Sequence, residues 1–474
     1  MTITKSFHKE NKMIEPFKQM CLLLLGCFMI WWGHLSVFAE DKPPIKWETI
    51  TVLNLETAQW IALAENANIQ AIIAKIGQAN AQAQQAKAAY WPKLNLSADA
   101  ARTRLSNSEY RKQLTNARLI NPMATMDNVM KTYGLNLSVS YALFDGFLSK
   151  YQYLSAVTGH EISKVQYQNA KRLLLQQVAN LFFRAQLARE NVAIAEANIH
   201  FYQQKLDEAE ARHEAGSGSL SDALNFQVQL NSARTTLIQA NESYQLVLLD
   251  LAESLGISYF SDQVTLSQLE TEKEKDLAQP EVKEYLKHAN SLRPDIVLYQ
   301  KMIDQAKHQE KAAKANFFPS IHVNGVYQGA RPDDYQWEKD NFGNMVSVNM
   351  TYPIFAGGYY WQKIKQTSFQ IKEATKTYQY IQKSIEIQVR QAIEQVKAAQ
   401  EEVQLQRDNA ILVQRNRDLV EKEYAAGQNS LVRLNEAQRD LITAKSRSAA
   451  ALVSLYLAWQ NLLAETGQIL MAFE

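Results

Sequence analysis

Segments of this 474-residue chain occur twice at one fixed spacing. Phe144 and Phe355 lie in similar Phe-x-Gly segments, and Gly216 and Gly427 lie in similar Gly-x-x-Ser segments. The two members of each pair are 211 residues apart. Because self-similarity at a fixed spacing marks a duplicated architecture, the fold can be derived from one repeat. Each repeat is predicted to run helix, strand pair, long helix, tip and returning helix.

The placement of proline predicts very long helices in both repeats. No proline occurs from 123 to 279 or from 354 to 474, and helix interiors exclude proline. The segments 147–215 and 359–426 are rich in Gln, Ala, Lys and Glu, with apolar residues three or four apart. At 1.5 Å per residue, each would form a helix of roughly 100 Å. Their apolar stripes favour coiled-coil-like packing.

Each long helix is expected to end at a tip and reverse. Gly216 and Gly427 suit the left-handed conformation that ends a helix. Ser219 and Ser430 follow three residues later and suit the cap of the next helix. The sequence therefore predicts two helical hairpins, each with its turn at a Gly-x-x-Ser segment.

The returning helices are predicted to be only half as long as the outgoing ones. They cover about 219–254 and 430–465. Helical segments at 56–90 and 279–315 supply the missing halves. Stacked end to end, these pieces match the length of the outgoing helices. The charged segment 257–278 interrupts the first pair and should form a belt at mid-length.

Four short runs in which apolar and polar residues alternate lie between the helical legs, at 94–100, 135–143, 321–324 and 346–354. Period-two alternation with aromatic ends is typical of a transmembrane β-strand; the alternative is an ordinary two-sheet core. Four strands cannot close a barrel, and an open edge leaves backbone groups unsatisfied in hydrocarbon. Two chains would give eight strands and three would give twelve, which leaves room for water. A symmetric trimer is the preferred hypothesis.

The first 39 residues are predicted to be a cleaved signal peptide. Four lysines precede an apolar run from Cys21 to Phe38, and Ala39 ends a small-x-small cleavage site. The alternatives are a retained membrane anchor and a lipid attached to Cys27. Both cysteines lie in this leader, so no disulfide is expected in the mature chain. With 50 basic and 49 acidic residues, no nucleic-acid partner is expected.

This order of elements resembles the TolC-like outer-membrane efflux protein family. The resemblance rests on strand pairs that begin after Trp91-Pro92 and Phe318-Pro319, on the Phe-x-Gly segments and on the Gly-x-x-Ser tips. It implies long α-helical hairpins that form an α-barrel in the periplasm. It also implies four strands per chain in a trimeric, 12-stranded β-barrel in the outer membrane.

The resemblance further implies a function and partners. The chain would be the exit duct of a tripartite efflux or type I secretion system, carrying drugs, metals or proteins. It would assemble as a homotrimer and dock to a periplasmic adaptor protein and an inner-membrane pump. No cofactor or metal is implied. The alternative from another class is a trimeric structural coiled-coil stalk or adhesin anchored by a small β-barrel.

In the family, the tips contact the adaptor. Arg212, Gly216 and Ser219 of the first tip match the adaptor-contacting pattern, and Gly427 and Ser430 keep it in the second. The glycines and serines also make the turn, so turn geometry and docking are both expected roles.

In the family, acidic residues six and nine positions after the glycine of the second tip often narrow the periplasmic mouth. Here those positions are Arg433 and Glu436, and Asp222 is the acidic residue six positions after Gly216. These three residues are the gate candidates. A ring of three arginines beside three glutamates could close the mouth through ion pairs. The alternative is an exposed helical charge pair of little energetic weight.

An enzyme is not expected. His160-Glu161 and His213-Glu214 lack the second histidine of a zinc-protease helix, and no phosphate-binding loop is present. The paired Asp333 and Asp334 are expected in a solvated outer loop.

The predicted division of the chain is signal peptide 1–39, N-terminal helical segment 40–92, first β-hairpin 93–145, first helical hairpin 146–256, equatorial segment 257–278, helical segment 279–318, second β-hairpin 319–356 and second helical hairpin 357–474.

Overall fold

The computed structural model describes residues 51–260, 264–332 and 337–473. The predicted leader with Cys27 and Ala39, and the acidic pair Asp333 and Asp334, lie outside the described residues. All the described residues belong to one compact unit.

The described part of the chain is mostly helical. Its α-helices, in chain order, are α1 (Leu55–Glu65), α2 (Ala67–Lys87), α3 (Asn107–Ile120), α4 (Leu148–Glu214), α5 (Leu220–Leu255), α6 (Val282–Leu292), α7 (Pro294–Ala315), α8 (Tyr359–Ala425) and α9 (Leu431–Thr466). The two long helices, α4 and α8, have 67 residues each, and α5 and α9 have 36 each. None of the described helices combines the length and the apolar character needed to cross a membrane.

Four strands form one antiparallel sheet. The strands of the described residues are β1 (Val52–Leu53), β2 (Lys93–Arg104), β3 (Val129–Phe144), β4 (Thr265–Leu266), β5 (Ser320–Pro332) and β6 (Phe342–Thr351). The sheet has the order β2-β3-β5-β6, so the two predicted strand pairs join through β3 and β5. In the register, Leu137 lies opposite Leu96 on one side and Tyr327 on the other. β2 and β6 are the edges of this sheet.

The helices pack side by side in a single row, which has two halves along the length of α4 and α8. In the half next to the sheet, α2 packs on α4, and α7 lies between α4 and α8. In the other half, α5 packs on α4, and α9 lies between α4 and α8. The shorter helices therefore complete the returning legs, as their lengths predicted. Each half presents four helices in a row, which suits a curved wall.

Two breaks in the shorter helices were not predicted. The segment 56–90 was expected to be one helix, but Asn66 adopts an extended conformation between α1 and α2. Its side-chain oxygen accepts a hydrogen bond from the backbone N–H of Asn68 at 2.9 Å, and its amide donates to the carbonyl of Ser254 at 2.9 Å. Asn66 thus caps α2 and at the same time binds to α5. Because the bond to α5 is a tertiary contact, the break between α1 and α2 is fixed by the packing of the helices.

The second break lies between α6 and α7, at Arg293 and Pro294. The buried Arg293 guanidinium donates two hydrogen bonds to the carboxylate of Asp295, at 3.0 and 2.6 Å. It also donates to a carboxylate oxygen of Glu465 at 2.7 Å and to the side chain of Gln388 at 3.0 Å. One buried cation therefore joins α7, α8 and α9 at mid-length.

Residues of the predicted equatorial segment pack against the helices at this level. β1 and β4 form a short parallel pair. The indole N–H of Trp459 donates to the carbonyl of Asp276 at 2.8 Å, and the Gln400 amide donates to the carbonyl of Ala278 at 2.9 Å.

Helix α3, in the connection between β2 and β3, was not predicted. The Ser106 side chain caps it by accepting from the Glu109 N–H at 3.3 Å.

Candidate functional site

The first tip, residues 212–222, is a tight turn between α4 and α5. Gly216 has φ +74°, and nothing lies within 4 Å of the position that a Cβ would take. The backbone N–H of Ser217 donates to the carbonyl of Arg212 at 2.9 Å, which ends α4. The Ser219 side chain then accepts from the N–H of Ser221 at 3.1 Å and caps α5. Gly216 is needed for its backbone, and a side chain there would point into open space.

The second tip, residues 423–433, repeats this turn. Gly427 has φ +72° and equally open surroundings. The N–H of Gln428 donates to the carbonyl of Glu423 at 2.8 Å. The Ser430 hydroxyl accepts from the N–H of Arg433 at 3.2 Å and caps α9. The backbone of the two tips is therefore nearly the same, as the duplication predicted.

The side chains of the two tips differ at aligned positions. A Cβ on Gly218 would lie 2.7 Å from the Cβ of Arg212, so the first tip has no room for a side chain there. The aligned residue of the second tip is Asn429. Its amide donates to the Glu423 carboxylate at 2.9 Å, and its carbonyl oxygen accepts from the N–H of Ser430 at 2.9 Å. In the first tip, the Ser217 hydroxyl donates to the carbonyl of Arg212 at 3.1 Å and a ring nitrogen of His213 lies 3.3 Å from the carbonyl of Gly218. Different side chains therefore stabilise the two turns.

Tyr424 connects the two tips, and sequence reasoning missed it. The guanidinium carbon of Arg212 lies 5.8 Å from the centre of the Tyr424 ring. Burial raises the pKa of Tyr424, and the neighbouring carboxylate of Asp222 raises it further. The structure thus brings the candidates Arg212 and Asp222, from the first tip, to one residue of the second. The available signal was that Tyr424 and His213 occupy aligned positions but differ in chemistry.

The other two gate candidates pair with each other. A guanidinium nitrogen of Arg433 lies 3.3 Å from a carboxylate oxygen of Glu436, one turn along α9. Both side chains are nearly half exposed within the single chain. In the described residues, Asp222 forms no ion pair with Arg433. The structure therefore divides the three gate candidates into Asp222 beside Tyr424 and an Arg433–Glu436 pair.

Below the tips, a nearly buried lysine fastens α4 to α8. The ammonium of Lys205 lies 2.8 Å from a carboxylate oxygen of Glu421 and 2.9 Å from one of Glu208. Burial acts to lower the pKa of Lys205, but hydrogen bonds to Glu421 and Glu208 outweigh it and the pKa is raised. The guanidinium of Arg417 lies on the Phe201 ring at 5.4 Å. The sequence did not predict the contacts of Lys205 with Glu421 and of Arg417 with Phe201, because the two partners of each contact are far apart in the chain.

A compact core supports both tips. Phe226 and Leu230 of α5 and Leu434 and Ala437 of α9 are completely buried or nearly so. Gln438 of α9 is also buried, and its amide donates to the side chain of Asn198 on α4 at 2.9 Å. The two tips therefore lie side by side on one shared core. Among the described residues, no three His, Cys, Asp or Glu side chains are grouped to hold a metal ion.

Known proteins share both the sequence and the fold. The pyoverdine export outer membrane protein OpmQ of Pseudomonas aeruginosa is 24% identical over 91% of this chain and 91% of its own length. The outer membrane protein TolC of Salmonella enteritidis is 21% identical over 67% of this chain and 65% of its own length. The crystal structure of the open state of the MtrE outer membrane channel of Neisseria gonorrhoeae superimposes with a TM-score of 0.71 at 19% identity, covering 87% of this chain and 88% of that one.

The family assignment rests on the match to a whole-family profile. The profile described as "Outer membrane efflux protein" matches residues 61–257 and 285–468. These ranges run from within α1 to the end of α9, apart from residues 258–284, and include both tips. The TolC-like resemblance and the mixed fold of long helical hairpins and membrane strands are confirmed. The chain belongs to the outer membrane efflux protein family.

Proposed function

We propose that this outer membrane efflux protein forms a homotrimer with a closed 12-stranded barrel. The observation in support is the four-stranded sheet, whose edges β2 and β6 have no further strand partner among the described residues. In a bilayer, unpaired backbone groups at such edges are strongly unfavourable. Cyclic pairing of β6 in one copy with β2 in the next removes both edges. Three copies give a lumen wide enough for water, whereas two give one filled by side chains.

The helices would continue this barrel as a duct into the periplasm. Each chain offers four helices in a row in both halves, and three such rows can close into a tube. A relative named for pyoverdine export supports the transport of a small molecule through such a duct. The cargo of this chain is proposed to be drugs, metals or proteins, delivered by an inner-membrane pump through a periplasmic adaptor. The family consists of channels, and no catalytic role is proposed.

The tips are proposed to dock the adaptor, through residues Arg212, Gly216, Ser219, Gly427 and Ser430. The open space around both glycines supports this proposal, since a partner can approach the backbone closely there. Charge adds to it. The segments 205–224 and 417–436 contain five basic and nine acidic residues, a net charge of −4 with His neutral. An adaptor surface of positive charge would be complementary to this end.

The same end is proposed to be the gate. Lys205 with Glu421, and Tyr424 with Arg212 and Asp222, hold the second hairpin (α8 and α9) against the first (α4 and α5). Opening the mouth requires the second hairpin to move away from the first, which separates these contacts. In a trimer, three Arg433–Glu436 pairs near the axis would add a charged constriction.

Ion conductance in a planar bilayer tests the duct. The purified full chain should insert as a trimer with low conductance, and the variant Tyr424→Phe/Asp222→Asn should conduct several times more. The stalk hypothesis predicts no current from any variant. A correctly assembled trimer that never conducts would therefore overturn the duct and favour the stalk.

The contribution of Arg433 needs a separate variant. Arg433→Ala breaks the pair with Glu436 and removes a cation from the mouth. Its single-channel conductance and cation selectivity should both rise. Unchanged values would reduce Arg433 and Glu436 to an exposed charge pair and leave the Tyr424 contact as the proposed gate.

A further inference from the structure

Positive charge is concentrated where the helices meet the sheet. The chain passes between the two regions at four junctions, here called the collar: residues 80–94, 144–154, 308–320 and 351–366. The collar contains seven lysines and only two acidic residues, Asp145 and Glu310. The whole chain, by contrast, has 50 basic and 49 acidic residues. The collar is therefore strongly basic in a chain that is nearly neutral.

The two acidic residues of the collar are engaged locally. Asp145 accepts a hydrogen bond from the N–H of Ser149 at 2.8 Å, at the start of α4. Glu310 pairs with Lys314 at 3.0 Å. Among the described residues, no carboxylate lies within ion-pair distance of the six remaining lysines of the collar, Lys87, Lys93, Lys150, Lys311, Lys363 and Lys365. Within the part of the chain that the structure describes, these six cations have no counterion.

Two of these lysines come together on one aromatic ring. The ammonium groups of Lys150, on α4, and Lys311, on α7, lie 5.9 and 5.7 Å from the centre of the Tyr151 ring. Helices α4 and α7 pack on each other, so this arrangement is held by the fold. Two cations that share a ring and lack a carboxylate can be bridged by a phosphate group.

Large aromatic side chains surround the lysines. Trp91 and Trp361 are each 70% exposed in the single chain, and Tyr359 is 64% exposed. Rings from neighbouring junctions touch, as in Phe317 with Trp361 at 5.3 Å between centroids. Exposed Trp and Tyr beside lysines are typical of the boundary between a membrane and water.

We propose that the collar binds the phosphate groups of anionic phospholipids in the leaflet that faces the helices. The inference rests on the proposed function, which puts the sheet in the membrane and the helices in the periplasm. Lysines near an anionic surface each add to binding, and the aromatic rings fix the depth at which the lysines lie. The acidic tips at the opposite end would be repelled by the same surface. The charge distribution along the chain therefore favours one depth and one orientation.

Fluorescence quenching by brominated lipid tests the proposal. The full chain is reconstituted into vesicles of phosphatidylcholine with a minority of phosphatidylglycerol, and only one of the two lipids carries bromine. With the tryptophans outside the collar replaced by phenylalanine, Trp91 and Trp361 report on the lipid beside the collar. Quenching by brominated phosphatidylglycerol should exceed what its share of the bilayer predicts. Added salt should reduce this preference, since screening weakens attraction between exposed charges.

The variant and its control carry the same change in charge. Lys150→Gln/Lys311→Gln/Lys363→Gln/Lys365→Gln should lower the preference for phosphatidylglycerol roughly fivefold or more. Lys283→Gln/Lys287→Gln/Lys383→Gln/Lys422→Gln removes four exposed lysines away from the collar and should retain it. An equal loss in both variants would overturn the proposal. A wild-type preference that is absent or independent of salt would also overturn it, whether or not the collar variant folds.

The failure of this proposal can be told apart from failure of the proposed function. If brominated phosphatidylcholine and phosphatidylglycerol quench in proportion to their amounts, the sheet is in the membrane and only the lipid preference is overturned. If neither lipid quenches, the membrane placement is overturned and the lipid proposal with it. Conductance measured in the same preparation reports on the duct independently of lipid preference.

Discussion

The ammonium group of Lys205 in α4 lies 2.8 Å from a carboxylate oxygen of Glu421 in α8. The Lys205 side chain is only 7% exposed, and it also contacts Glu208. One cation thus holds two carboxylates and joins the two hairpins just below the tips. Any movement of the second hairpin away from the first has to break or re-form this contact.

Replacing Lys205 by methionine should loosen the hairpins. Lys205→Met keeps most of the apolar stem but removes the cation that Glu208 and Glu421 share, leaving Glu421 paired only with Arg417 of its own helix. This change destabilises the contact between α4 and α8 by about 2 kcal/mol. Hydrogen exchange at 199–210 and 417–425 should become roughly 30-fold faster. Lys397→Met is the control, because it breaks an exposed pair with Glu394 on α8. Equal exchange in the two variants would show that Lys205 does not hold the hairpins together.

The Tyr424 contact predicts a response to alkaline pH. Burial and Asp222 raise the pKa of Tyr424, so the folded state favours the neutral phenol. The contribution of the neutral Tyr424 phenol to the stability of the folded state is complete below the unfolded pKa of about 10. It is lost as the pH rises through the higher folded pKa. The phenolate would then repel Asp222. Conductance should therefore be flat at neutral pH and increase only above about pH 10.

Tyr424→Phe separates this step from other alkaline titrations, such as that of Lys205. The phenylalanine variant lacks the hydroxyl and should conduct more than the wild type already at neutral pH. Its alkaline increase should shrink. An increase of the same size and midpoint in both proteins would assign the pH response to other groups.

Substitutions at Gly216 distinguish turn geometry from docking. Asparagine tolerates the left-handed conformation at φ +74°, so Gly216→Asn should keep the turn, fold normally and retain adaptor crosslinking. Gly216→Trp places a large side chain in the open space in front of the turn and should abolish crosslinking and export. Gly427→Asn and Gly427→Trp apply the same comparison to the second tip. Normal export by a folded Gly216→Trp protein would reject docking at the first tip.

Replacing Arg293 by lysine should destabilise the protein, although the substitution keeps the positive charge. Lysine cannot make the two parallel hydrogen bonds to Asp295 while also reaching Glu465 and Gln388. Arg293→Lys should lower the free energy of unfolding by about 2 to 4 kcal/mol. Arg390→Lys is the control, since the ion pair of Arg390 with Glu386 on α8 is exposed. This substitution should change the free energy of unfolding by less than about 1 kcal/mol. Thermal unfolding of the assembled protein measures both.

Much of the fold was predictable because it depends on local rules. Alternation of apolar and polar residues predicted the strands, and their aromatic ends indicated the membrane. The absence of proline predicted α4 and α8, and Gly216 and Gly427 marked the turns. Local patterns were insufficient at Asn66. At Asn66 the residues on both sides favour helix, whereas Pro294 is a local signal for the second break that the expected helix over 279–315 overlooked. The partners that stabilise the breaks, Ser254 and Glu465, are distant in sequence.

The candidate site shows the same division. The sequence identified the turn-forming residues of both tips, because the left-handed glycine and the capping serine act within a few residues. It did not predict Tyr424 or the contact of Lys205 with Glu421, because these depend on how one hairpin packs on the other.

By itself, the sequence determined that this protein has two repeats, each with a strand pair and a long helical hairpin that reverses at a glycine. Those features follow from backbone preferences and from the periodicity of apolar residues, which act locally. Only the tertiary structure decided which charges meet. It brought Lys205 to Glu421, Asp222 to Tyr424, and Lys150 with Lys311 to Tyr151. The energy of such contacts depends on distance and burial in space, and a linear sequence specifies neither until the helices pack.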